Sequence, residues 1–448
     1  MGSKGAGGGA RLLRVLGLTF GLAVTVGNTI GAGILRTPGE VASQLPGAWV
    51  ILGAWAAGAV YALLGANSLA ELATMMPRSG GQYVFARRAF GGYAGFVVGW
   101  SDWVSTCGSV AAVAIVIGEY AGALLPALSG RAAAVASAVT LGFALLQWRG
   151  VRWGSRAQTL TSLMKALAFV AVIAACFALG GGGALGGAEE ARAGAGAGAV
   201  TLLAVTLALQ SVIYTYDGWT GVIYFSEEVA DPARDIPRSM FGGVLLVALI
   251  YLLFNLALLY VLPVARLAGA ELAAGEAASE LFGPRGDTLV RALTVVALLS
   301  SVNALLLIAT RVPFAMGRDR LFPPRAVGVN EGGTPAVALA ASALVALLFV
   351  AGGGFGQVIA VLAFFFVLNY AVSFAAVFAL RRSAPDAPRP WRALGHPWTT
   401  ALALAGSVGF MLSAFLSSTR DSLIALALLA LSYPAYLLVK RALGASVL

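Results

Sequence analysis

Apolar residues come along this chain in runs of about twenty positions, the length a helix needs to cross a hydrocarbon core. Short clusters of glycine, proline and arginine divide them. No charge interrupts Met240 to Leu262 or Pro335 to Leu380, and in the latter Gly352-Gly353-Gly354-Phe355-Gly356 offers the turn between two runs. The strict alternation of barrel strands is missing, and in lipid only helices or closed barrels satisfy the backbone. The pattern therefore predicts twelve spanning helices. They are Leu16 to Ser43, Trp49 to Met75, Tyr93 to Leu125, Ala132 to Trp148, Ser155 to Leu179, Ala199 to Val229, Met240 to Leu262, Thr288 to Ala309, Pro335 to Ala351, Gln357 to Leu380, Thr399 to Leu416 and Ser422 to Val439.

Composition narrows the class. Hydrophobic residues make up 59% of the 448 and charged residues 11%, against roughly 25% charged in soluble domains. With no polar linkers between the runs, one membrane-embedded domain is expected. Lysine and arginine collect on cytoplasmic flanks. An inside N-terminus places them on inner loops over outer ones by roughly three to one, with Arg311, Arg318, Arg381 and Arg389 among the inner set and Lys165 alone within a span. Both termini are thus expected in the cytoplasm, with residues 1–14 a retained tail, because the span behind them is too long for a signal-peptide core. The net charge of +10 reads as this topogenic bias with contact to membrane lipids; the basic residues are dispersed, and no nucleic-acid motif accompanies them. Cys107 and Cys176 fall within spans, where thiols act as small apolar groups, and His396 is expected as a solvated loop residue. No cofactor, metal centre or catalytic set is expected.

The first span holds Gly27-Asn28-Thr29-Ile30-Gly31-Ala32-Gly33, three glycines in seven residues near its middle. Each weakens a helix interior by ~1 kcal/mol relative to alanine, although small residues also serve close helix packing. The sixth span repeats the feature in Tyr214-Thr215-Tyr216-Asp217-Gly218-Trp219, where a carboxylate at membrane depth is costly and by default functional. Interruptions five spans apart fall in halves of opposite orientation, the sequence pointer to an inverted-repeat transporter site. Unwinding frees N–H groups around Gly31, Ala32 and Gly33, where the positive end of a helix attracts a carboxylate. Carbonyls freed at Thr29, Tyr214 and Thr215 accept from an ammonium instead. Two such poles in ~5 Å suit a zwitterionic amino acid. Asp217 either strengthens the cationic pole, contacts a basic side chain, or caps the second half-helix.

Lys165 lies ten residues past Ser155, ~15 Å into the membrane, too deep to snorkel. Beside freed carbonyls its ammonium does the electrostatic work of a sodium ion or exchanges a proton, and carbonyl neighbours favour the first.

These residues resemble the amino acid, polyamine and organocation (APC) superfamily, in its L-type amino acid transporter (LAT) branch, as a prokaryotic member. The match is carried by Gly27 to Ile34, by Tyr214 to Trp219 continued through Ser226-Glu227-Glu228-Val229 and Asp231-Pro232 to Ile236-Pro237-Arg238, by Trp153-Gly154-Ser155-Arg156-Ala157-Gln158 leading to Lys165, and by Ser301-Val302-Asn303 before Arg311. The resemblance implies an all-α LeuT-type fold of twelve transmembrane helices working by alternating access, with helices 1 and 6 unwound at the midplane. Residues 16–179 form one five-helix repeat, 199–380 its inverted partner, and 399–439 the last two helices. It further implies a substrate site of Thr29, Ile30, Gly31, Ala32, Gly33, Tyr214, Thr215, Asp217, Gly218 and Trp219, with Tyr214 as outer gate and Asn369 in the side-chain pocket. Lys165 stands beside Ser301 where relatives bind sodium. The expected function is sodium-independent exchange or uniport of small or neutral amino acids at the plasma membrane. Proton-coupled uptake and basic amino acids or polyamines are the alternatives, and a non-transporting nutrient receptor is a further one. Leu125 to Arg131 lacks the cysteine with which heteromeric relatives bind a heavy subunit, so no disulfide-linked partner is expected.

Overall fold

The computed structural model describes residues 12–181, 201–283, 285–352, 355–417 and 419–444. Most of the expected N-terminal tail, the start of the sixth span and part of the glycine turn at 352–356 lie outside the described residues. The helices are α1 (Leu18–Thr29), α2 (Gly33–Gln44), α3 (Ala48–Met75), α4 (Gln82–Phe90), α5 (Gly92–Leu124), α6 (Ala132–Trp148), α7 (Val151–Leu179), α8 (Leu202–Tyr216), α9 (Pro232–Val261), α10 (Ala273–Phe282), α11 (Arg285–Arg318), α12 (Ala336–Gly352), α13 (Phe355–Ser383), α14 (Trp398–Ser417) and α15 (Thr419–Leu443). Among the described residues, eight helices are long and apolar enough to cross a membrane, and the pair α1/α2, bent by 46°, brings the number to nine. Helices α6 and α12 are apolar but shorter, at 17 residues each. The architecture is that of an all-helical, multi-pass membrane protein.

Several helices outrun the apolar runs that predict them. Helix α11 extends from Arg285 to Arg318, well past the expected Thr288 to Ala309, because a helical backbone continues through charged residues that find partners. Arg311 is one of these, and its assignment to an inner loop is overturned: it is 1% exposed, inside α11, and forks onto Glu228 through Nε at 3.0 Å and Nη2 at 2.9 Å. Lys165 is therefore not the one cation within a span. The sixth span also differs from expectation. After α8, the chain turns at 217–220 and forms a short 3₁₀ helix, Gly221–Phe225, in place of a second α-helical half.

Helix α11 is the most enclosed, with 67% of its apolar stretch buried, whereas α14 and α15 bury 22% and 17% and present the rest outward. Helix α1 packs on α7, α9 and α11, while α2 packs on α8, so the α1/α2 break lies at the centre of the bundle. A ladder of buried amides and hydroxyls fixes α1 against α7, α11 and α6. Gln158 donates to Ser300 Oγ at 3.2 Å and to the Ala23 carbonyl at 3.3 Å, Asn303 donates to Gln158 Oε1 at 2.8 Å, and Gln147 donates to Asn303 Oδ1 at 3.0 Å. The ladder thereby satisfies the Gln158 amide and the Asn303 Oδ1 and amide away from water, where an unmet polar group costs about 1–3 kcal/mol. His396, expected in solvent, is half-buried against the Phe378 ring and paired with Thr400 at 3.1 Å.

Candidate functional site

Helical hydrogen bonding in the first span runs to Ile30, whose N–H reaches the Val26 carbonyl at 2.9 Å, and resumes at Gly33. The three glycines there act differently. At Gly27 a Cβ would collide with Gln158 and Ser162, so this glycine serves close packing; at Gly33 it would lie 3.2 Å from Thr215; at Gly31 it would meet nothing. Helix α2 begins at Ala32 without a side-chain cap, so its first N–H groups face outward from a positive helix end.

The second break presses against the first. Gly218 sits at φ +117°, a region that L side chains rarely adopt, and a Cβ there would lie 2.7 Å from the Asn28 carbonyl carbon. The Asn28 side chain donates to the Gly218 carbonyl at 3.0 Å, and Thr37 and Thr215 share a hydroxyl contact of 2.7 Å. Across both breaks lies Tyr251 of α9, whose hydroxyl lies 2.9 Å from the Thr29 carbonyl and 3.1 Å from that of Thr215. One phenol thus ties two interrupted helices at the carbonyls their unwinding exposes.

Lys165 completes the frame from behind. Fully buried, it donates to the Gly27 carbonyl at 2.9 Å, to Ser301 Oγ at 2.9 Å and to the Ile30 carbonyl, and Ser301 donates to Gly27 at 3.1 Å. An ammonium and a hydroxyl take the place of the helical N–H groups that these two carbonyls lack.

In front of the breaks opens a cavity of about 770 Å³, within the range of pockets for small ligands. Its wall includes Thr29, Gly31, Ala32, Gly33, Tyr214, Thr215, Asp217, Gly218 and Ser301, and it extends along α2 to Arg36 and Glu40. Tyr214 is 43% exposed there. Four expected residues stand off the wall. Ile30 and Lys165 are buried behind the break; Trp219 stacks on Tyr370 with centroids 5.3 Å apart; and Asn369 accepts from Ser101 at 3.2 Å. Asp217 ends α8 and accepts from the Tyr370 hydroxyl, while the N-cap of the 3₁₀ helix is Thr220. Capping the second helix is thus not the work of Asp217.

Sequence reasoning missed Asn28, Tyr251 and Asp102. Asp102 of α5 lies on the cavity wall, is 2% exposed, and accepts from the Tyr224 hydroxyl at 2.9 Å. The rule that singles out Asp217 and Lys165, the cost of a charge at membrane depth, applies to it equally. A tyrosine in an apolar run such as Tyr251 carries no comparable signal.

Ion pairs tie the residues after the 3₁₀ helix to α11, and the end of α11 to α4. Beyond Arg311–Glu228, Arg318 holds Glu227 at 2.9 Å, and Asp319 takes Arg87 at 3.1 Å and the Tyr83 hydroxyl at 2.8 Å. Leu16 pairs with the strand-like stretch at Val229, its N–H reaching the Glu228 carbonyl at 2.9 Å.

The chain is similar in sequence to several amino acid transporters. The chain is 27% identical over 418 residues to the serine/threonine exchanger SteT of Bacillus subtilis (strain 168), covering 92% of this chain and 93% of that protein. It is 28% identical over 398 residues to the large neutral amino acids transporter small subunit 2 of Mus musculus, covering 87% and 74%. To the b(0,+)-type amino acid transporter 1 of Oryctolagus cuniculus it is 27% identical over 392 residues, covering 85% and 78%. Residues 12–432, which include every side chain described here at the breaks and on the cavity wall, match the amino acid permease family, and the chain belongs to it, as a membrane carrier of amino acids and not an enzyme.

Proposed function

We propose that the protein is a sodium-independent amino acid exchanger working by alternating access between two inverted five-helix repeats, residues 16–179 and 199–380, followed by two helices over 399–439. In this reading α1/α2 and α8 with its 3₁₀ continuation are the first and sixth of twelve spans. The observation that carries it is the pair of helix interruptions in contact with each other on the wall of one cavity. N–H groups at Gly31, Ala32 and Gly33 receive the substrate carboxylate, and carbonyls of Thr29, Tyr214 and Thr215, with Asp217, receive its ammonium. Thr29 and Thr215 retain a second lone pair beside Tyr251. Tyr214 gates the cavity mouth. Ile30 and Trp219 support the two breaks, Asn369 backs the wall through Ser101, and Lys165 with Ser301 stands in for a bound sodium ion. Support for exchange comes from the matched length of the serine/threonine exchanger.

Both termini lie in the cytoplasm of a plasma membrane, as the arginine bias of the loops favours, and no disulfide-linked subunit is needed, since Leu125 to Arg131 holds no cysteine. Uptake of labelled amino acids into proteoliposomes tests the reading. Flux that requires an amino acid inside and ignores sodium is expected. Uptake into empty vesicles driven by a pH gradient would replace exchange with proton coupling, and binding without flux would replace transport with reception.

A further inference from the structure

Among the described residues the carboxylates Glu71, Glu228 and Asp102 are buried and Asp217 is partly exposed on the cavity wall, and they fall into two kinds. Glu71 of α3, 1% exposed, is clamped by Arg381 at 2.5 Å and Arg389 at 3.1 Å, and Glu228 is clamped by Arg311. Asp102 and Asp217 have no such partner: among the described residues neither joins an ion pair, and each accepts from a tyrosine hydroxyl, Tyr224 and Tyr370 respectively. The buried cations are committed elsewhere, Lys165 to the carbonyls of the first break and Arg311 to Glu228. Both unpaired carboxylates line the same cavity of about 770 Å³. A carboxylate taken out of water without a cation is among the costliest groups a protein can hold, so a pair on one cavity wall calls for positive charge from the ligand.

A zwitterionic amino acid supplies one ammonium, and its own carboxylate is spoken for by the Gly31–Gly33 amides. Asp102 is then left without a cation of its own. We propose that Asp102 is a specificity-determining residue that receives a cationic side chain, so that the preferred substrates are amino acids with a terminal ammonium or guanidinium. This rests on the amino acid exchange proposed above and narrows it away from small neutral substrates. Asp217 takes the α-ammonium end, beside Thr215. Asp102 takes the distal end, with Thr106 one helical turn along α5 also on the wall.

The test compares lysine with norleucine, which has the same carbon chain without the terminal ammonium. Purified protein in preloaded proteoliposomes is assayed for exchange of each labelled amino acid and for competition between them. A charge-assisted hydrogen bond to a carboxylate corresponds to roughly tenfold or more in affinity, so lysine should compete about tenfold better than norleucine. In Asp102→Asn that ratio should collapse toward one. Asp102→Glu supplies an independent arm should the asparagine variant not fold. It carries the charge one methylene further, and the preference should move from lysine to ornithine, which is one methylene shorter. Norleucine exchange without lysine preference in the wild type overturns the inference and leaves amino acid exchange standing. So does a lysine-to-norleucine ratio unchanged in Asp102→Asn, or an unshifted optimum in Asp102→Glu. Exchange of no amino acid removes the proposed function, and this inference with it.

Discussion

Replacing Lys165 with methionine separates the work of holding the first break from the work of holding the protein together. Methionine keeps the reach of the apolar stem but deletes three donations, to Gly27, to Ile30 and to Ser301. Hydrogen bonds to a charged donor contribute about 1.5–3 kcal/mol each, so the gross loss is roughly 4.5–9 kcal/mol. Against it stands the relief from burying an ammonium that is 0% exposed, a penalty of several kcal/mol in real proteins. The two terms nearly cancel, and the thermal stability of Lys165→Met in detergent should stay close to that of the wild type.

The break should not survive so well. Without the ammonium, the cheapest partners for the Gly27 and Ile30 carbonyls are N–H groups four residues on, at Gly31 and Ile34, and restoring those helical bonds consumes the Gly31 amide, one of the three proposed to receive a carboxylate. Losing one charge-assisted bond to the substrate costs about 2 kcal/mol, or ~30-fold in apparent affinity. Counterflow in proteoliposomes measures that loss, and a melting curve on the same preparation reports folding. Lys165→Arg should not rescue, because a planar five-donor fork does not fit a site built around a point charge. Wild-type exchange affinity in Lys165→Met would refute the idea that this lysine maintains the interruption.

Three further outcomes follow from the geometry. Arg311→Met strands Glu228 in the interior and should destabilise the fold by about 3–5 kcal/mol; adding Glu228→Gln should recover most of it, and a double variant no more stable than the single one would show the pair is not the cause. Gly218→Ala imposes about 1–3 kcal/mol of backbone strain and a clash with Asn28, so exchange should fall at least ~10-fold relative to Gly53→Ala, whose Cβ meets nothing within 4 Å; equal rates would show the breaks need not touch. Burial, then the positive charge of Arg381, push the His396 pKa below 6.5, with Glu71 opposing. The unfolded chain therefore takes up the proton first, so the stability this neutral histidine contributes is present above its ordinary range and is lost as pH falls through it. Melting temperatures between about pH 7 and 5 should show a decline that His396→Gln flattens.

How far the sequence carries depends on whether a signal lies along the chain or across space. The helices α3, α5, α6 and α14 begin and end within about two residues of their apolar runs, because lipid admits few alternatives to a helix. Helix α11 outruns its apolar stretch at both ends because charge clusters mark where lipid contact stops, not where the backbone stops. Helix α4 escapes notice because its nine residues include Gln82, Arg87 and Arg88 and form no span. At the site, the glycine and aspartate interruptions are visible because they offend the local pattern. Their supports are not: Tyr251 obeys the pattern of its own helix, and its hydroxyl acquires meaning only where folding brings Thr29 and Thr215 within 3.1 Å of it.

Asp102 marks the boundary between these cases and shows what an intramembrane charge can and cannot say. Glu71 and Asp102 each place a carboxylate within an apolar run, so the sequence cannot rank them. What separates them is the partner: Glu71 meets two guanidiniums and the Ala393 N–H at 2.7 Å, and so belongs to the frame. Asp102 meets a neutral phenol on a cavity wall. A buried charge completed by the protein is architecture; one left for something outside the protein to complete is a recognition element. The distinction is one of electrostatic closure: Lys165, Arg311, Glu71 and Glu228 are completed within the protein, and Asp102 and Asp217 are, on the proposal above, completed by the substrate.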